Sequence, residues 1–192
     1  TAIEMSLFGD DVSIDVYNNL IDSVHEKIGY IYEYYNLKKG ILGLDELHLY
    51  DIYVPIVGEY DKKYEYEEAK DIIVKVLEVF GDEYVNKVKE GLDSRWIDVY
   101  PTKNKRTGGY SGGMYDTYPY ILLNYQDKYN DMSTLIHEMG HSMHSYYSRN
   151  YNTYQNGEYR IFVAEVASTV NELLLSHYML EHSNSKEERL FI

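Results

Sequence analysis

The sequence His137-Glu138-Met139-Gly140-His141 is the most informative part of this chain, because it is an HExxH motif within a segment predicted to be helical. Residues four apart in an α-helix lie roughly 40° apart around its axis, so both imidazoles can reach one ion. Glu138 lies at the flank of that site, where it can contact a water molecule on the metal without being a ligand. The motif therefore predicts a metal site with a general base beside it.

The chemistry expected of such a site is hydrolysis. Zinc held by two histidines and one carboxylate keeps a fourth position open for water, whose pKa falls toward ~7. Glu138 would accept the proton of this water as it attacks a peptide carbonyl, and would then pass the proton to the leaving amine. The motif is short, however, and an amphipathic helix with two histidines that bind no metal is the alternative interpretation.

A carboxylate on the next predicted helix favours the metal site. Glu165 lies in the sequence FVAEVASTVNE (residues 162–172), and we predict that it is the third ligand. Glu158, in the loop before this helix, and Glu172 are the alternatives. Ser168 and Glu172 share the helical face of Glu165. Glu172 is also a candidate to accept a hydrogen bond from a ligand imidazole, with a simple ion pair as an equal alternative.

His144 is a further histidine on the HExxH helix. It follows His137 by seven residues, so it returns to nearly the same side of the helix and could face the site. A structural histidine that bonds to a neighbouring helix is the favoured interpretation.

Composition narrows the function further. The chain has 192 residues, 44% of them hydrophobic, which suits one globular domain. A net charge of −14 argues against nucleic-acid partners and anionic membranes, and no stretch approaches the ~18 apolar residues of a membrane span. The chain has no Cys, so any metal must be held by His and carboxylates. The 24 Tyr residues suit a binding groove, although residue-usage bias is the favoured explanation.

Apolar periodicity predicts a mainly helical chain with a small β component. Ser13 is a plausible N-cap for the first helix, and Ser185 with Glu188 forms a capping box for the last. Asn130 or Asp131 would cap the HExxH helix. The segment 44–58 is left without an element. Helices are predicted over residues 13–37, 64–81, 82–92, 131–149 and 161–180, and strands over 97–100 and 118–125.

Between the two predicted strands lies the glycine-rich sequence KNKRTGGYSGGMY (residues 103–115), which predicts a loop or hairpin with positive-φ positions. The strand that follows contains Pro119, which lacks an N–H. This proline confines the strand to a sheet edge or occupies its first position. As an edge strand, residues 118–125 could pair with the backbone of a substrate.

Four separated motifs in this chain resemble the oligoendopeptidase F family, relatives of thimet oligopeptidase. They occur in the same order as in that family and cover nearly the whole chain. The motifs are LGLDELHLYDIYVP (42–55), YSGGMYDTYPYILLNY (110–125), HEMGHSMHSYYSR (137–149) and FVAEVASTVNE (162–172).

The resemblance implies a cytoplasmic, mainly α zinc endopeptidase with a zincin-like core, which cuts short peptides inside a channel. It makes His137, His141 and Glu165 the Zn²⁺ ligands and Glu138 the general base. The glycine-rich hairpin and the following strand would line the cleft, where a peptide would add as an antiparallel strand. The hairpin residues expected to contact substrate are Gly108, Gly109, Tyr110, Gly112 and Gly113.

Members of that family are much longer than this chain. We therefore expect a central part of the catalytic domain, with a helical portion (1–95), a β and glycine-rich portion (96–126) and the zinc-site helices (127–192). Without the oxyanion donors that the family carries further along, we expect weak or no activity from it alone. Two alternatives stay open: a zinc carboxypeptidase or other zinc hydrolase with the same ligands, and a metal-free helical binding module.

Overall fold

The structure is a computed structural model that describes residues 1–57 and 62–192. Gly58, the last residue of the unassigned segment 44–58, lies outside the described part. Backbone contacts divide the chain into two compact units. One comprises the residues before the gap together with Phe191, and the other comprises the residues after it.

The first unit is built on one long helix. Helix α1 spans Ala2–Phe8 and was not predicted, whereas α2 spans Ile14–Leu42, longer than expected. Ser13 is its N-cap, because the Ser13 side chain accepts a hydrogen bond from the Val16 amide. The helix ends at Gly43, which adopts φ 65°, a conformation that glycine tolerates best. Apolar side chains that recur at helical spacing along α2, such as Val16, Leu20 and Val24, stay largely exposed within this unit, with Leu20 at 64%.

The second unit contains five helices and a small sheet. The HExxH helix α5 (Tyr129–Tyr151) starts two residues before Asp131 and has Lys128 as its N-cap, so the predicted cap at Asn130 or Asp131 was wrong. The Asp131 carboxylate instead accepts hydrogen bonds from the amides of Gln126 (2.9 Å) and Lys128 (3.0 Å) from inside the first turn. The helices are α3 (Tyr66–Val76), α4 (Asp82–Asp93), α5 (Tyr129–Tyr151), α6 (Ile161–Glu181) and α7 (Lys186–Phe191).

The sheet has three short strands in the order β1-β3-β2: β1 (Ile97–Asp98), β2 (Tyr110–Gly112) and β3 (Tyr120–Leu122). β3 pairs in parallel with β1 and antiparallel with β2, so it is the central strand. The prediction that this strand forms a sheet edge was wrong. Pro119 directly precedes β3, so its missing N–H falls outside the ladder.

The core of the second unit lies where α3, α4 and α6 pack on α5 and the sheet. Met132, Leu135, Ile136 and Met139 of α5 are fully buried there, which fixes the orientation of the HExxH motif in that helix. The fold class predicted from the sequence, mainly α with a small sheet, is confirmed. No helix of the described residues has the length and apolarity needed to cross a membrane.

Candidate metal centre

Helices α5 and α6 pack backbone to backbone at Gly140. A Cβ atom on this residue would lie 2.7 Å from the Ser168 Cα atom and 2.9 Å from the Ala167 carbonyl carbon, so only glycine fits. Glu165 precedes Ser168 by about one helical turn. The close approach at Gly140 therefore brings the Glu165 side chain against the two histidines of the motif.

Three ligand atoms converge at this point. The Nε2 atoms of His137 and His141 are 3.1 Å apart, and each lies 3.4 Å from Oε2 of Glu165. The histidine side chains are 23% and 17% exposed and that of Glu165 is 59% exposed, so one side of the cluster is open to solvent. Among the described residues, this is the group of His and acidic side chains arranged to hold a metal.

The separations within this triangle fit a tetrahedral zinc ion. Zinc bonds of about 2.0–2.1 Å at tetrahedral angles place neighbouring ligand atoms roughly 3.3–3.4 Å apart. The observed values of 3.1 and 3.4 Å agree with that geometry. Two imidazoles and a carboxylate are also a donor set that zinc accepts in hydrolases. The residues present therefore fit the ion that the motif predicts.

Glu172 lies behind one of the imidazoles. Its Oε1 is 3.3 Å from Nδ1 of His137, the nitrogen that points away from the cluster. This Nδ1 is buried and has no aligned hydrogen-bond partner among the described residues, so the Glu172 oxygen lies within reach of it but off the N–H direction. The pair occupies the positions of a carboxylate that orients a ligand histidine.

Glu138 is buried beside the histidines, with 7% of its surface exposed. The pKa of its carboxyl is raised, mainly by burial and to a smaller extent by the charge of Glu165. The neighbouring His137 and His141 and a hydrogen bond from the Ser111 backbone lower this pKa and partly offset the rise. A buried carboxylate with a raised pKa is suited to taking up a proton near neutral pH.

Strand β2 is held against α5 next to this carboxylate. The hydroxyl groups of Ser111 on β2 and Ser142 on α5 lie 2.8 Å apart, and Ser142 is fully buried. Ser142 follows Glu138 by four residues, so both face the same strand. The sequence did not reveal this contact, because a serine pair across a helix and a strand has no spacing signature.

Two of the weighed alternatives lie away from the cluster. Glu158 bonds to Arg149, with 3.1 Å between Oε1 and Nη2. His144 stacks on the Tyr159 ring at 3.7 Å and lines an apolar pocket of about 510 Å³. Burial lowers the pKa of His144. The pocket contacts Val163 and other residues on a different face of α6 from Glu165.

The glycine-rich segment forms the edge of the sheet as a hairpin arm. Gly108 has φ 88° and its carbonyl accepts a hydrogen bond from Asn124, while Gly109 packs on Thr134. A Cβ atom on Gly113 would lie 2.9 Å from the Tyr118 carbonyl oxygen. Tyr110 and Gly112, which the sequence also placed in the cleft, belong to β2 itself and are exposed.

Comparisons with known proteins agree with this architecture. The family model for peptidase family M3 matches residues 1–191. The chain is 46% identical to oligopeptidase PepF of Bacillus subtilis over 192 residues and 43% identical to the chromosomal oligoendopeptidase F of Lactococcus lactis subsp. cremoris over 189. The match to the Bacillus subtilis protein covers all of this chain and 29% of that protein. The match to the Lactococcus lactis protein covers 98% of this chain and 31% of that protein.

Solved structures give the same result. A crystal structure from Chlamydophila abortus, described as that of a peptidase, superposes with a TM-score of 0.86 at 44% identity and covers 97% of this chain and 31% of its own. The crystal structure of oligoendopeptidase-F from Enterococcus faecium superposes with a TM-score of 0.58 at 28% identity. This match covers 96% of this chain and 24% of the Enterococcus faecium chain. The chain thus spans about a third or less of the length of these relatives. The resemblance to oligoendopeptidase F is confirmed, and the chain belongs to peptidase family M3.

Proposed function

We propose that this chain supplies the zinc site and the general base of an oligoendopeptidase. The observation that carries the proposal is the convergence of the His137, His141 and Glu165 ligand atoms within 3.1–3.4 Å of one another. Zinc bound there would supply a Lewis acid that activates water and polarises the peptide carbonyl. The relatives named oligopeptidase and oligoendopeptidase support short peptides as the substrate.

The role proposed for Glu138 is proton transfer. Its carboxylate would accept a proton from the attacking water and deliver it to the leaving amine, which prevents expulsion of an unprotonated amide anion. Burial and the Ser111 N–H keep this carboxylate in one orientation beside the two histidines. Glu172, through Nδ1 of His137, would hold that imidazole with Nε2 toward the metal.

Strand β2 is the proposed binding edge for the peptide backbone. Within the described sheet it pairs with β3 alone, so its other edge is unpaired. The Ile121 amide donates to the Trp96 carbonyl oxygen on the β1 side. The N–H and C=O groups of Ser111, which is paired with Ile121, therefore both point away from β3. The N–H bonds to Glu138, so the carbonyl oxygen is the Ser111 group available to a substrate backbone. A substrate added there would lie next to Glu138, with Tyr110, Gly112 and the flanking glycines alongside it.

Elemental analysis of zinc provides the first test. The purified protein should hold one zinc per chain, and Glu165→Ala should lose or weaken it. Glu158→Ala is the matched control, because this carboxylate pairs with Arg149 and should leave zinc binding unchanged. A protein that binds no zinc after reconstitution would support the metal-free binding module instead, with the three groups joined only by hydrogen bonds.

The products from a peptide blocked at its C-terminus separate the two hydrolase alternatives. An endopeptidase cleaves such a peptide internally, whereas a carboxypeptidase needs the free carboxylate. Internal cleavage that is abolished by Glu138→Gln with zinc still bound would support the proposed mechanism. The cytoplasmic location expected from the resemblance stays a prediction.

A further inference from the structure

Ser168 is a fully buried serine whose hydroxyl group points at the candidate zinc ligand Glu165. Its Oγ atom lies 2.8 Å from Oε2 of Glu165 and 3.1 Å from the Glu165 carbonyl oxygen. Oε2 is the same oxygen that lies 3.4 Å from the Nε2 atoms of His137 and His141. One hydroxyl thus contacts the atom that would bind the metal.

We propose that Ser168 is a positioning residue that holds the Glu165 carboxylate in its metal-binding orientation. This inference rests on the proposed zinc site. The Ser168 hydroxyl has one proton and two acceptors within reach, and the charged carboxylate at the shorter distance is the stronger of the two. Because a carboxylate oxygen has two lone pairs, the hydrogen bond leaves one free for an ion.

Glu165 needs such support because more than half of its side chain is exposed, at 59%. A free Glu side chain loses rotamer entropy when it is fixed in one conformation. The hydrogen bond from Ser168 fixes it before any ion arrives. Ser168 itself cannot turn away, because it is fully buried and its Cα abuts Gly140.

The neighbouring Thr169 provides a matched comparison on the same helix. Its hydroxyl also bonds within the turn of Glu165, but to the backbone carbonyl oxygen rather than to the carboxylate. Thr169 is exposed, and its hydroxyl hydrogen bonds go to the backbone carbonyl oxygens of Glu165 and Val166. Loss of its hydroxyl should change local helix stability without changing the carboxylate.

The experiment measures zinc affinity by chelator competition for the wild type, Ser168→Ala and Thr169→Val, with thermal unfolding of each metal-free protein. We expect Ser168→Ala to raise the zinc Kd by about tenfold or more, the usual effect of removing a group that orients a metal ligand. Its metal-free melting temperature should stay near that of the wild type. Thr169→Val should leave the Kd unchanged.

Cobalt substitution adds a spectroscopic readout that a purely structural role would not alter. The visible bands of the Co²⁺-loaded protein should change in Ser168→Ala and stay unchanged in Thr169→Val. Equal zinc affinity and equal spectra in Ser168→Ala and wild type would overturn the inference while leaving the zinc site intact. A wild type that binds no zinc would overturn the proposed function and this inference with it. If Ser168→Ala does not fold, Ser168→Gly is measured instead, because it also lacks the hydroxyl and adds no zinc ligand. Its zinc affinity should be reduced, and an unchanged affinity would refute the inference.

Discussion

Gly140 and Ser168 lie so close that a Cβ atom on the glycine would be 2.7 Å from the serine Cα. Both partners at this point are main-chain atoms of packed helices, so neither can move aside as a flexible side chain would. The glycine is thus what allows α6 to bring Glu165 to the histidines of α5. It occupies the middle of a helix, where glycine is otherwise unfavourable.

Gly140→Ala should therefore destabilise the protein despite improving helix propensity. Overpacking costs about 1–3 kcal/mol, against about 1 kcal/mol gained from alanine in a helix. Separation of α5 and α6 should also weaken zinc binding. Thermal unfolding and zinc titration measure both effects. Gly29→Ala is the control, because nothing lies within 4 Å of a Cβ atom there and the substitution should be neutral or stabilising.

Much of the candidate site could be predicted from local sequence, because α5 and α6 each carry their functional residues at helical spacing. His137, His141 and Glu165 converge because both helices formed where the apolar periodicity placed them. What the sequence did not reveal depends on tertiary approach. The contact at Gly140 and the Ser111–Ser142 hydrogen bond join segments distant in the chain, and neither has a local pattern.

A strand did form within residues 118–125, but its placement at the sheet edge was wrong, for a related reason. Residues 118–125 have the composition of a strand, but strand order is set by which segments pair, and β3 received partners on both sides. In α2 the apolar stripe predicted a buried face, yet residues such as Leu20 and Val24 are exposed within their unit. The spacing of apolar residues correctly predicted that this segment is a helix. That spacing does not show which other segment packs against the apolar side.

Glu172→Gln should weaken zinc binding although Glu172 is not one of the three converging ligands. The substitution keeps the size of the side chain and removes the charge that lies 3.3 Å from Nδ1 of His137. Loss of a carboxylate that orients a histidine ligand typically raises the metal Kd by roughly tenfold or more. Glu181→Gln, on the same helix and paired with the exposed His177, is the control. Equal zinc affinity in the two variants would reduce Glu172 to a simple ion-pair partner.

Ser142→Ala should lower turnover without removing the metal. The change breaks the 2.8 Å hydrogen bond to Ser111, whose backbone N–H contacts Glu138. A shift of the general base by ~1 Å can cost up to ~100-fold in rate, so kcat should fall while zinc content stays the same. Ser145→Ala breaks a similar hydrogen bond, to Tyr159 at 2.8 Å, away from the base. A kcat that falls equally in both variants would point to general destabilisation.

Buried tyrosines predict a loss of stability at alkaline pH. Burial raises the pKa of Tyr64 and of Tyr66 to about 12, and it raises the pKa of Tyr125 as well. In the unfolded chain these phenols titrate near ~10. Between these pKa values the folded state keeps protons that the unfolded state releases. The contribution of these tyrosines to the free energy of unfolding is therefore complete below pH ~10 and is lost as the pH rises from ~10 to ~12. Urea unfolding at a series of pH values measures this decrease.

Two substitutions in this cluster should act in opposite directions at neutral pH. The Tyr64 hydroxyl is buried and has no hydrogen-bond partner among the described residues (1–57 and 62–192). Tyr64→Phe therefore removes an unsatisfied polar group and should stabilise the protein by about 1 kcal/mol. The Tyr125 hydroxyl donates to the Tyr64 carbonyl oxygen at 2.7 Å, so Tyr125→Phe should destabilise it by about 1 kcal/mol. Each variant lacks one buried phenol. The decrease in its free energy of unfolding from neutral to alkaline pH should therefore be smaller than that of the wild type. An alkaline decrease of unchanged size in both would mean that other groups cause it.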